Sequence, residues 1–144
     1  MSKHDALAEK VVAHLYSVSP VLKHWGIEVA GAKRAAVTLT MTVRKDMSNT
    51  NGVCHGGVIF SLADACFGFS AGSYNDRGVG ASCDIRFLKP AEIGDRLTAT
   101  ASEVWRKGRS GLYDVTIVNQ GGDKVALMRG HARQIGGHYI EETD

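Results

Sequence analysis

Between Gly56 and Asn75 the chain reads GGVIFSLADACFGFSAGSYN, in which Asp64 is the one ionisable carboxylate among apolar and small residues. Held in apolar surroundings without a partner, a carboxylate is costly, because its charged form has lost its water. Asp64 therefore either finds a structural partner, such as a loop backbone or an arginine of a neighbouring strand, or acts as a general base or nucleophile. His55, Gly56 and Gly57 stand at the start of the same run. If they open a helix, unpaired backbone N–H groups project at the positive end of its dipole, where an anion or a developing oxyanion is stabilised. Adjacent glycines also let a ligand approach the backbone closely, the alternative being that they only permit a tight turn. On these grounds alone His55 is either a hydrogen-bonded structural residue or a participant in the chemistry.

Gly56 and Asp64 are eight positions apart, which along a helix is about 12 Å. One chain cannot bring both to the same carbonyl. Two such helices lying side by side and antiparallel can, giving two equivalent sites per dimer by two-fold symmetry. Cys54 offers neither a thiol nucleophile with its base nor a metal-ligand spacing, and no metal or other cofactor is expected. Cys66 and Cys83 read as small apolar core residues.

The elements that must position these groups are legible from periodicity. Leu7, Val11, Val12, Leu15 and Val18 recur at helical spacing until Pro20, predicting an N-terminal helix within residues 1–20. In AAVTLTMTV, Val37, Leu39, Met41 and Val43 alternate with threonines as in a strand, and residues 27–32 are expected to pair with it. After the long apolar helix come VGASCDIRFL, DRLTATASEVW, GLYDVTIVNQ and KVALMRGHARQI, four more strands set apart by turn residues, the last two joined at Gly121–Asp123. Residues 138–144 read as a flexible acidic tail. A helix that is apolar nearly all round must be covered on most sides. A curved antiparallel sheet of five to six strands wrapped round it does so, an α+β arrangement known as the hotdog fold, and a second copy completes the cover.

At 144 residues the chain suits one domain, 1–144. A charged fraction of 22% with 44% apolar residues fits a soluble globular protein, and a net charge of +2 with scattered basic residues gives no nucleic-acid surface. The apolar run carries Asp64 and four glycines, so it reads as a buried helix and no membrane association is expected. No signal peptide is recognisable, and three cysteines without a C-x-x-C pair favour the reducing cytoplasm.

The runs NGVCHGGVIFSLADACFGF, FLKPAEIGDRLTATA and GLYDVTIVNQGGDKVALMRGHARQIGG closely resemble the PaaI-type hotdog thioesterases, acyl-CoA hydrolases associated with bacterial phenylacetate degradation. The similarity spans about residues 37–137, and its specific part is His55-Gly56-Gly57 with Ala63-Asp64, followed by Phe87-Leu88-Lys89-Pro90. The resemblance implies that Asp64 is the catalytic carboxylate and that the Gly56 N–H polarises the thioester carbonyl. It further implies that His55 is the histidine beside that glycine and that Asn49 helps to place the carboxylate or the attacking water. Aryl acyl-CoA, of phenylacetyl or hydroxyphenylacetyl type, is the implied substrate, and the homodimer with shared active sites is expected to pair into a homotetramer. Where several relatives carry Ser or Thr this chain has Gly80, and Ser82, two residues on along a regular strand, is the expected substitute. Lys89, Arg106, Lys107 and Arg109, near strand ends, are candidates for the CoA phosphates, the alternative being solvated surface charge. Two competing functions are a hotdog hydratase, whose branch pairs an Asp with a His five residues later, a spacing absent here, and a non-catalytic acyl-CoA sensor.

Overall fold

Alternating apolar residues and one apolar helix organise the whole chain, and the computed structural model describes residues 1–142. Helix α1 (Lys3–Ser17) is capped by Ser2, whose Oγ accepts from Asp5 N–H, and it buries Ala8, Val11, Val12 and Leu15. The expected helix ends at Ser17, and Pro20 opens a separate short helix, α2 (Pro20–His24), because proline is well suited to a first helical position. Strands β1 (Glu28–Lys33) and β2 (Ala36–Thr42) form the expected antiparallel pair. A 3₁₀ turn at Lys45–Met47 and a loop lead into α3 (Gly56–Gly72). Four strands follow: β3 (Gly78–Phe87), β4 (Arg96–Lys107), β5 (Ser110–Val118) and β6 (Lys124–Gln134).

All six strands join in one antiparallel sheet of order β1-β2-β4-β5-β6-β3. Register shifts interrupt four of the five strand pairings, and such bulges bend strands, so the sheet curls around α3. Its concave face supplies Val37, Leu39 and Met41, then Leu97, Ala99, Val115, Ile117 and Met128, against Leu62, Ala63, Cys66 and Phe67 of the helix. Two buried hydroxyls fix the end of the helix to β2 and the turn before it: Ser70 Oγ accepts from Val37 N–H at 3.0 Å, and Ser73 Oγ at the helix C-cap from Ala35 N–H at 2.7 Å. No described helix is long and apolar enough to cross a membrane.

Within one chain α3 is not covered all round. Gly57, Ser61, Asp64 and Gly68 recur at helical spacing on a side where three of the four are exposed and Ser61 is half-buried. Strand β3, at the sheet's edge, has β6 on one side only and presents exposed Val79 and Phe87, followed by Leu88.

The C-terminal segment departs from the expected flexible tail as far as it is described, residues 143 and 144 lying outside the described part. Asn75 is buried with φ +74°; its Oδ1 accepts from Tyr139 N–H and Ile140 N–H, and its Nδ2 donates to the Ile140 carbonyl at 2.8 Å. Tyr139 thereby lies across the end of α3, so close that a Cβ on Gly72 would stand 3.1 Å from its ring.

Candidate active site

The loop before α3 is held from several sides. Asn49 Oδ1 accepts from Asn51 N–H at 2.9 Å and Val53 N–H at 3.3 Å, while Cys54 N–H donates to Ala91 O and His55 N–H to Met47 O. The amide NH₂ of Asn49 has no partner among the described residues. His55, in extended backbone, caps the helix: its Nδ1 accepts from Gly57 N–H at 2.8 Å, and its carbonyl accepts from Val58 and Ile59 at 3.0 and 3.2 Å. An accepting Nδ1 puts the proton of the neutral ring on Nε2. Of the four N–H groups that open α3, three are thereby satisfied. That of Gly56 has no partner among the described residues, and an unpaired donor at a helix start is suited to hold a carbonyl oxygen. The ring of Phe87 leans over it, within 3.3 Å of where a Gly56 Cβ would be. Cys54 beside this point is buried, its thiol pushed up to about 11 by burial, so it stays protonated and supplies no nucleophile.

Asp64, two turns further along α3, forms no hydrogen bond or ion pair with any described residue. The structural partner that would explain an isolated carboxylate is therefore missing from the chain's described part. Desolvation by the neighbouring apolar groups raises its pKa above the ordinary 3.8. Cys83, expected in the core, is instead exposed on the edge strand, near enough that its thiol is raised by partial desolvation and then by the Asp64 charge.

A cavity of about 260 Å³ opens beside Asp64 along the C-terminal half of α3, walled by Phe67, Gly68, Gly80, Gly111 and Tyr113 and closed toward the tail by Tyr139. Tyr113 is 1% exposed and its hydroxyl donates to Glu103 Oε1 at 3.0 Å; Tyr74 donates to the same oxygen at 2.8 Å. Phe67 reads from the sequence equally well as core, and Tyr113 goes unremarked, because an aromatic at a buried helical or strand position carries the same signal whether it fills a core or lines a pocket.

The remaining candidates are distributed differently from the expectation. Gly80 faces the helix, since a Cβ there would stand 3.3 Å from Phe67. The ladder to β6 then slips: Gly80 opposes Ala132 but Ser82 opposes His131, so one residue is inserted. The bulge turns Cys83, opposite Gly130, toward the helix and Ser82 to the outer face, so Ser82 cannot replace a hydroxyl at Gly80. Nor do the four basic candidates gather in one chain. Lys89 lies at the α3 start, paired with Asp123 at 2.7 Å. Arg106, Lys107 and Arg109 lie around the β4–β5 hairpin at the opposite end, where Arg106 pairs with Asp76 at 3.2 Å and stacks on Tyr74 at 3.7 Å.

Residues 51–126, more than half of the chain, match the thioesterase superfamily. The chain belongs to that family. A member of known name, the acyl-coenzyme A thioesterase PaaI of Escherichia coli K12, is 40% identical over 129 residues, 90% of this chain and 92% of the relative. The solved structure of the E. coli PaaI protein from the phenylacetic acid degradation operon superposes with a TM-score of 0.92 at 37% identity, covering 93% of this chain and 97% of that one. A hypothetical thioesterase of Streptococcus pneumoniae, solved with coenzyme A, gives 0.75 at 28% identity over 78% of this chain and 90% of that one. The thioesterase fold here is thus the hotdog expected from the helix and sheet, and the protein is a hydrolase acting on thioesters.

Proposed function

We propose that the protein hydrolyses acyl-CoA thioesters, preferring aryl acyl groups of phenylacetyl or hydroxyphenylacetyl type, in a dimer whose two sites each combine Gly56 of one subunit with Asp64 of the other. The observation that carries this reading is the pair of unsatisfied groups on α3, a free N–H at Gly56 and an unpaired carboxylate at Asp64, about 12 Å apart along one helix. The exposed Gly57, Asp64 and Gly68 and the open β3 edge provide surfaces on which a second copy would seat, and pairing of such dimers yields the tetramer. In an antiparallel dimer the β4–β5 hairpin of one subunit lies toward the α3 start of the other. The basic residues separated within a chain then come together, Lys89 with the partner's Arg106, Lys107 and Arg109, toward the CoA phosphates.

In the reaction the thioester oxygen accepts from Gly56 N–H, and the partner's Asp64 takes a proton from water as the water oxygen bonds to the carbonyl carbon. The tetrahedral oxyanion collapses, the C–S bond breaks, and the proton passes to the CoA thiolate, leaving acid and free thiol. The other route is direct attack by Asp64, giving a mixed anhydride and the CoA thiolate; single turnover in ¹⁸O water leaves label in Asp64 only by this route, when water opens the anhydride at the aspartyl carbonyl. Asn49, with its NH₂ free, positions the carboxylate or water, while Gly57 and His55 shape the loop. Phe67 and Tyr113 beside Asp64 support the aryl preference, as does the operon of the E. coli relative. Three free cysteines are in keeping with a cytoplasmic setting. A panel of aryl and aliphatic acyl-CoAs, followed by thiol release, tests the reading: phenylacetyl-CoA should be cleaved, and tight binding without any cleavage would favour the sensor instead.

A further inference from the structure

The cavity beside Asp64 is walled by glycines of the sheet and by the aromatic rings that rest on them. Gly80 of β3 and Gly111 of β5 both stand opposite Ala132 of β6, and aromatic rings lie over both glycines, Phe67 over Gly80 and Tyr113 over Gly111. Interiors are otherwise packed to crystal density, and unfilled space next to a reactive carboxylate is space for a ligand. Of the large side chains that border it, which include Tyr113 and Tyr139, Phe67 is the nearest in sequence to Asp64. Phe67, 1% exposed and three residues past Asp64, rests flat on Gly130: a Cβ there would stand 2.8 Å from each of three ring carbons, Cδ1, Cε1 and Cζ. Tyr113 backs the ring at 5.9 Å between centroids and is itself tied to Glu103. The ring therefore cannot move toward the sheet; anything added beneath it drives it toward the cavity.

We propose that Phe67, seated on the bare backbone of Gly130, sets the size of acyl group that the site admits. This rests on the thioesterase reading with the cavity as the acyl pocket, and the experiment separates the two. In wild type, Gly130→Ala, Gly80→Ala and Phe67→Leu, kcat/KM is measured for acetyl-CoA, phenylacetyl-CoA and the bulkier naphthylacetyl-CoA. Gly130→Ala should lower the phenylacetyl-to-acetyl ratio about tenfold or more, the scale of discrimination that a small change in an apolar pocket supplies. Gly80→Ala, with its milder 3.3 Å contact, should lower it in the same direction by less. Phe67→Leu should raise the naphthylacetyl-to-acetyl ratio. If Gly130→Ala does not fold, the other two variants decide. Equal loss on all three substrates in every folded variant would overturn the role of Phe67 while leaving the thioesterase reading intact. A wild type that cleaves no acyl-CoA would remove both.

Discussion

Replacing Gly56 by proline deletes one N–H with little other disturbance. His55 has φ −61° and ψ 135°, the conformation required of a residue before proline, and Gly56 is the first helical position, where proline is favoured. The lost N–H bonds to no described residue. The ring must displace Phe87, whose Cζ is 3.3 Å from the Cβ site, but that side chain is 54% exposed and free to swing. A stability cost within about 1 kcal/mol, hence a Tm within about 5 °C of wild type, is expected. Loss of an oxyanion donor should lower kcat by about 10²–10³. Asp64→Asn should lower it by about 10²–10⁴ through loss of the base. Mixing the two inactive chains in equal amounts and allowing subunit exchange makes about half of the dimers mixed. Each mixed dimer holds one site with both wild-type groups and one with neither, so thiol release should recover to about a quarter of the wild-type rate per subunit. Native mass spectrometry establishes the mixed fraction. Mixed dimers at the expected abundance with activity no higher than either parent would refute the shared site, as would a wild type that is a monomer at assay concentrations.

Asp64→Asn should also leave Tm at neutral pH equal to or above that of wild type. Burial raises the folded-state pKa, so the native state holds the proton where the unfolded chain has released it, and stability falls as pH rises through that interval; Asn removes this cost, and the difference should close below the ordinary 3.8. A Tm that drops at pH 7 would mean that Asp64 has a structural partner. Asn75→Ala removes three hydrogen bonds to residues 139 and 140 and should cost about 1–3 kcal/mol in urea unfolding, with limited proteolysis now cutting after Gly137; an unchanged midpoint and an uncut tail would contradict the clamp. Iodoacetamide at pH 8 should label at most one of the three cysteines, because Cys54 and Cys66 are buried and their thiols are pushed up to about 11 and about 12; peptide mass spectrometry finding either labelled in native protein would refute this.

Asp64 was visible in the sequence because it is chemically discordant with its neighbours, and β2, β4, β5 and β6 because alternation survives wherever one face is buried. What escaped has non-local causes. The bulge between Gly80 and Ser82 inserts a residue without changing composition, so counting by twos from Gly80 chose the wrong side chain. Residues 138–140 look like a polar tail until Asn75, more than sixty positions earlier, is seen to hold them. Proline at position 20 carried both meanings, a stop for α1 and a start for α2. The basic side chains lay near strand ends as expected, yet only the topology tells which end.

The last strand of the chain is the sole neighbour of β3 within the sheet, and this has a bearing on synthesis. Gly78 pairs with Gln134 and Phe87 with Ala126, so β3 leaves the ribosome roughly 40–55 residues ahead of the strand that will hold it. At about 5–20 residues per second that is an interval of about 2 to 10 s in which Val79, Phe87 and Leu88 are exposed with both strand edges unpaired. A nascent chain halted anywhere before Lys124 is stranded in that state, with an adhesive ribbon and no means of closing it. Premature termination between Leu88 and Lys124 should therefore yield insoluble protein and demand on chaperones rather than a shortened enzyme.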